Sequence, residues 1–303
     1  MRNDAIIIGG SFAGLSAAMQ LARANRSVCV IDTGTPRNRF ASASHGFFGQ
    51  DGMAPRDMLA AAREKVAAYP SVQFIDAEAI AAEADGDGFA VTLAGGNRLL
   101  ARKLVLAFGL KDTLPDIPGV QERWGKTVLH CPYCHGFEFL GQPLGVLSML
   151  PLSTHQAALI PEWGPTTFFL NGSAMPDEET CARLAARQVI IEAAPVVGLD
   201  GDAPHLDGVR LADGRLVRIA ALYLAPRTSF QSPIADQLGC AMEDGPFGPV
   251  IKTDAVKATS VSGVFAAGDI TRPMHNATLA SADGVMAGTG VHQSLVFAPA
   301  AAA

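Results

Sequence analysis

The tightest constraint on this chain sits at its N-terminal end. Ala5, Ile6, Ile7 and Ile8 make a short apolar run, and Gly9-Gly10-Ser11-Phe12-Ala13-Gly14 follows as a turn. Residues 15–24 carry apolar side chains at helical spacing, and 27–31 form a second apolar strand that ends in Asp32. Strand, glycine turn, helix, strand and terminal acid in this order is the layout of a dinucleotide-binding unit. Gly9 permits the tight turn. Ser11, small enough for backbone to approach a pyrophosphate, stands where a second glycine is usual, and Gly14 allows the helix to pack closely on the strand. The helix start then offers N–H groups and a positive dipole end to phosphates. Asp32, 23 residues after Gly9, is spaced to take the hydroxyls of an adenosine ribose.

The rest of the chain narrows the class. With 303 residues, 49% of them hydrophobic, it can bury two cores. A net charge of −6 without any block of Lys or Arg argues against nucleic acid and anionic membranes as partners. The longest apolar stretches, such as 104–110, are strand-sized and end in Gly, Pro or charge, so no membrane span is expected. Met1-Arg2-Asn3-Asp4 leads directly into the first strand without a signal-peptide pattern, and the expected compartment is the cytoplasm. Cys29, Cys181 and Cys240 stand alone in apolar or helical patterns and are expected to be small buried hydrophobes; only Cys131 and Cys134 are paired by spacing.

Further along, 33–55 reads as a loop, 56–68 as a helix, and 72–75, 89–93 and 99–106 as strands. A Pro/Gly-rich linker at 114–119 opens a middle segment, 226–230 reads as the return crossing, and a final helix covers 276–295 before a frayed tail at 300–303. The expected fold is α/β, with two Rossmann-like domains of which the second is inserted into the first. Residues 1–114 and 226–303 are expected to form one discontinuous dinucleotide-binding domain, and 115–225 the insert.

The pair Cys131-Pro132-Tyr133-Cys134 can be read in three ways. A zinc site needs two more ligands; Cys181 and Cys240 are isolated, and His130 and His135 crowd the same short loop, so no metal is expected. A static disulfide does not suit a cytoplasmic chain. A redox dithiol needs one thiolate to attack and a second to resolve the mixed disulfide, which a two-residue spacer provides.

Gly263-Val264-Phe265-Ala266-Ala267-Gly268-Asp269 resembles the second FAD signature of flavoproteins with two dinucleotide domains, in which Gly268 and Asp269 would meet the ribityl chain. Taken together, these motifs resemble the low-molecular-weight thioredoxin reductase family over nearly the whole chain. The match is closer to its branch of dithiol oxidases that close the disulfides of epidithio and dithiolopyrrolone natural products. That branch resembles this chain in residues 130–138, 32–38 and 44–52. The resemblance implies that Arg37, Asn38, His45 and Gly109 line the FAD. It also implies that His275, Asn276 and Ala277 replace the family's Arg-Gln-Ala at the flavin ring, and that the protein is a homodimer. By the same resemblance Cys134 faces the flavin and Cys131 meets the substrate.

His135 stands where the reductases have an acidic proton donor. A free imidazole titrates near ~6.5 and can take a thiol proton at neutral pH. His130 could act on the other side, or be a strand-end histidine satisfied by backbone.

The insert should carry a second strand–glycine turn–helix if it binds NADPH. Instead Met149, Leu150 and Pro151 occupy the turn, and 171–175 has no basic cluster for a 2′-phosphate, so NADPH is expected not to bind. The leading expectation is an FAD-dependent oxidase passing electrons from a dithiol through Cys131 and Cys134 to FAD and then O2. Its partner would be a small dithiol or a thioredoxin-like protein. A reductase fed by ferredoxin or NADPH and a non-enzymatic redox sensor are the alternatives.

Overall fold

A computed structural model describes residues 2–297, and the tail expected at 300–303 lies outside them. The chain divides into two compact units. The first takes residues up to Arg39, Pro55–Lys111 and those from Thr228 onward; the second takes Phe40–Ala54 and Asp112–Arg227. Among the described residues no helix is long and apolar enough to cross a membrane.

In the first unit, Arg2–Ile8 lies between two parallel partners, Val28–Asp32 and Arg98–Leu106, with Val72–Asp76 outside Val28–Asp32. Helices or loops cover both faces, so Ile6, Ile7, Val30 and Val105 are all fully buried and the strands read as unbroken apolar runs. Arg98–Leu106 serves two partners along its other edge. Its first half pairs antiparallel with Gly88–Leu93, and its second half pairs parallel with Val264–Ala266, the strand that carries the C-terminal signature. Ala79–Asp85 completes the antiparallel ribbon. No strand was read there because an alanine-rich run has weak β preference. The two-residue turn between Asp85 and Gly88 sets that hairpin.

Helices Phe12–Arg23 and Ala277–Val296 pack backbone against backbone. A Cβ on Gly284 would stand 2.1 Å from the Ala13 carbonyl oxygen, so only glycine lets them approach this closely. Leu21 and Val291, fully buried beneath them, each contribute about 1.5–3 kcal/mol by leaving water. The second helix is capped by Asn276, whose side chain accepts from the N–H groups of Thr278 (2.8 Å) and Leu279 (3.4 Å).

The second unit holds a parallel sheet ordered Ile190–Glu192, Thr166–Phe169, Leu144–Leu147, Ala221–Leu224, Val128–Leu129. An antiparallel group, Val196–Asp200, Gly208–Leu211 and Leu216–Val217, stands apart from it. The two passages of chain between the units, Leu110–Thr113 and Arg227–Phe230, pair with each other.

The expected domain limits need one correction. Residues 40–54 were assigned to the first domain, yet they group with the second. Phe40 packs over Gly125, where an added Cβ would meet it at 2.7 Å, and it joins the core around Val120 and Trp124. These contacts join residues distant in sequence and leave no local periodicity to read.

Candidate active site

The dinucleotide turn is built by the first unit alone. Gly9 adopts φ +111°, a conformation that L side chains rarely take, as the chain leaves the sheet. A Cβ on Gly14 would lie 1.8 Å from the Gly9 carbonyl oxygen, so the helix starts directly on the turn. The Gly10 N–H donates to Asp32 Oδ1 at 3.0 Å and fixes the carboxylate beside the loop. Ser11 is extended and its hydroxyl does not cap the helix, which leaves the positive helix end facing the turn.

The C-terminal signature returns to the same unit. Gly268 follows Val264–Ala266, and Asp269 opens a single helical turn. Arg37 Nη1 lies 3.0 Å from Asp269 Oδ2 and 2.7 Å from His275 Nδ1, so three of the residues singled out in the sequence converge. Asn38 is half-buried in the Arg37–Phe40 turn, Gly109 sits at φ +73° beside Gln231, and Ala277 opens the last helix after its cap Asn276. An open glycine turn, an anchored ribose-type carboxylate and a half-buried polar Arg–Asp pair are a donor set that fits FAD.

A buried ion cluster holds this segment down. Asp283 is fully buried; Lys257 Nζ lies 2.7 Å from its carboxylate and Arg272 Nε donates at 2.8 Å, while Thr271 Oγ1 donates at 3.2 Å. Burial alone would push the Asp283 carboxyl up, but hydrogen bonds from Arg272 and Lys257 hold it below the usual carboxylate range. Asp283 was not singled out in the sequence. The available signal was a lone carboxylate inside a helix of small and apolar residues.

The dithiol is built by the second unit. Val128–Leu129 ends at His130, Cys131 is extended, and Pro132 starts the one-turn helix Pro132–His135. All five cysteines are thiols; the Cys134 thiol donates to Cys131 Sγ at 2.6 Å, within reach of bond formation. That donation and the backbone N–H groups of Cys134 and Tyr133 hold Cys131 below the ordinary thiol range. Cys134 is pushed up, first by its bond to Cys131 and then by burial. Cys29 is fully buried and its thiol is pushed up to about 11. Cys181, expected to be buried, is only half-buried and donates to the Pro176 carbonyl oxygen.

Burial holds the His135 imidazole below its ordinary pKa, Glu138 opposes this, and His45 and Lys126 add to it. His45, which the resemblance placed beside FAD, lies in the second unit and packs edge-on against His135, ring centroids 6.1 Å apart. Its Nε2 is 3.3 Å from Glu138 and its Nδ1 3.5 Å from Asp51. The Tyr223 hydroxyl donates to the His135 carbonyl oxygen at 3.3 Å. His130 Nδ1 stands 3.3 Å from the Leu224 carbonyl oxygen, and the His130 carbonyl oxygen accepts from Gln156 at 2.8 Å.

The turn after Leu144–Leu147 differs from the first one in a specific way. Ser153 is fully buried, and its Oγ accepts from the N–H groups of both Met149 (3.0 Å) and Leu150 (3.2 Å). Two backbone donors of this turn are therefore satisfied from inside the loop.

Fold and sites define a two-domain dinucleotide-binding disulfide oxidoreductase. The pyridine nucleotide-disulphide oxidoreductase family model matches residues 3–148. The chain is 35% identical to thioredoxin reductase tcpT of Claviceps purpurea, covering 94% of this chain and 92% of that one. It is 32% identical to thioredoxin reductase sirT of Leptosphaeria maculans, covering 95% and 93%. An oxidoreductase structure from Agrobacterium tumefaciens superposes with a TM-score of 0.94 at 45% identity, covering 99% of this chain and 100% of that one. The chain belongs to the thioredoxin reductase-like, FAD-dependent disulfide oxidoreductases.

Proposed function

We propose that this protein is a dithiol oxidase that works without NADPH, closing a disulfide in a small dithiol substrate. The observation that carries the reading is the Ser153 hydroxyl, which takes the Met149 and Leu150 N–H groups that a nicotinamide dinucleotide would otherwise engage. Met149, Leu150 and Pro151 in place of glycines, and the uncharged 171–175, support it from the sequence.

The chain's residues divide the work as follows. The turn at Gly9, Ser11 and Gly14, with Asp32, holds the adenosine end of FAD, and Arg37 and Asp269 meet its polar stem. Bound there, FAD would supply the acceptor for the dithiol's electron pair, with O2 as the final oxidant and H2O2 as the product. Cys131 exchanges with the substrate because it is the more acidic thiol, Cys134 takes the electron pair when the Cys131–Cys134 disulfide opens, and the substrate's second thiol resolves the mixed disulfide. His135, kept neutral by burial, takes the thiol proton, a role that suits oxidation of a dithiol better than an acid would. We place the enzyme in the cytoplasm as a homodimer, as is usual for its family.

Anaerobic mixing with a dithiol should bleach the flavin absorbance, and air should restore it with one H2O2 per dithiol. NADPH should leave the spectrum unchanged. Bleaching by NADPH but by no dithiol would overturn the reading in favour of a reductase.

A further inference from the structure

We propose that Glu138 is a positioning residue for the His135 base, and that His45 latches it there. The inference rests on the assignment of His135 as the group that takes the substrate proton. Glu138 had no role in the sequence reading, and His45 was read as a flavin contact.

The chemistry needs such a group. As a substrate thiol attacks the Cys131–Cys134 disulfide, its proton moves to His135 and its sulfur bonds to Cys131. The electron pair of the broken S–S bond stays on Cys134. The second substrate thiol, losing its proton, then displaces Cys131 and closes the substrate disulfide, leaving the enzyme as the dithiol. His135 is a cation in between, in surroundings where burial disfavours the charged form. A carboxylate facing it raises its basicity and stabilises that cation.

Glu138 is the residue so placed. It follows His135 by three positions, and His45 is a neighbour of both: its ring packs edge-on against His135 with centroids 6.1 Å apart, and its Nε2 lies 3.3 Å from the Glu138 carboxylate. It is the one neighbour that raises the His135 pKa, against burial, His45 and Lys126. Tyr223 meets His135 through the carbonyl oxygen, and Cys131 and Cys134 lie in the same turn.

Glu138 is itself held. His45 Nε2 lies 3.3 Å from its carboxylate, and the other ring nitrogen lies 3.5 Å from Asp51. Asp51 is fastened by the Gly46 N–H at 2.8 Å, and the backbone bridge between Ser44 and Met53 closes the loop. The 40–54 segment thus delivers one imidazole whose two nitrogens lie near two carboxylates, Glu138 and Asp51, while its ring packs edge-on against His135.

Two measurements on the holoenzyme test this. In the first, NMR titration follows the His135 ring in the wild type and in Glu138→Gln. Loss of the carboxylate should lower the His135 pKa by ~0.5–1 unit, Glu138→Asp should recover part of it, and the difference should shrink in a His45→Gln background. An unchanged His135 pKa in Glu138→Gln overturns the proposal, whatever the enzyme's reaction proves to be. In the second, the anaerobic rate of flavin bleaching by dithiothreitol is followed against pH. Glu138→Gln should move the acid limb to lower pH and reduce the plateau several-fold. A reduced rate with an unmoved limb and no recovery in Glu138→Asp would mark Glu138 as structural only and overturn the assignment. Wild-type flavin that dithiols never bleach would instead defeat the oxidase reading, leaving the titration to decide the role of Glu138.

Discussion

Cys134 donates its thiol hydrogen to Cys131 Sγ across 2.6 Å, and the two sulfurs are made unequal by that bond. The acceptor gains a stabilised thiolate, while the donor keeps its proton. The less acidic thiol is the one that the family resemblance turns toward FAD. In the proposed oxidase, substrate exchange and flavin exchange fall to different sulfurs.

Alkylation should report this inequality. Iodoacetamide given to the reduced holoenzyme at neutral pH should label Cys131 before Cys134, as read by peptide mass spectrometry. Cys134→Ala removes the donor, so Cys131 labelling should slow and its pH midpoint should move upward toward an ordinary thiol near ~8.5.

Ser153→Ala should cost stability without touching the dithiol. Two N–H groups lose their acceptor, one of them buried, for about 2 kcal/mol, and the melting temperature should fall by roughly 4–8 °C. Ser153→Thr keeps an acceptor oxygen and should lose less. Equal melting curves for wild type and Ser153→Ala would show that the loop satisfies its donors elsewhere.

Asp283→Ala should leave Lys257 and Arg272 facing each other without a counter-charge, at about 3–5 kcal/mol. Because they anchor 268–272, the variant should also retain less FAD, measured as flavin absorbance against protein. The carboxyl is held below its unfolded value near ~3.9, so its contribution is complete at neutral pH and is lost as pH falls through the acid range below about 4.

In the proposed oxidase, His135 sets the pH dependence of thiol oxidation. Burial lowers its pKa, so the base form persists to lower pH than in a free imidazole, and the acid limb should lie below ~6.5. His135→Asn should reduce the rate of anaerobic flavin bleaching by about 10²-fold or more and flatten that limb. A limb that survives the substitution would assign it to another group.

The sequence revealed most where neighbours in space are neighbours in the chain. The Ala5–Ile8 run, the Gly9–Gly14 turn and Asp32 carry their geometry in local order, so the dinucleotide unit was readable at once. Cys131 and Cys134 were readable because a two-residue spacer already dictates their separation. Ser153 was not, because its function depends on how the 149–152 turn folds back onto a hydroxyl. Asp283 was not, because Lys257 and Arg272 reach it from separate loops. His45 was the hardest, since its contacts to Glu138 and His135 span some ninety residues of chain and obey no period.

The excursion of 40–54 has a practical consequence for anyone dissecting the protein. A fragment cut at the obvious borders, 112–227, would carry both redox cysteines but would lack Phe40 over Gly125, the His45 that meets Glu138, and the Asp51 that meets His45. Transplanting the dithiol module into another flavoprotein therefore means moving two separate pieces of sequence. Recombination that exchanges only the contiguous piece would split the active site along a seam invisible in the primary structure.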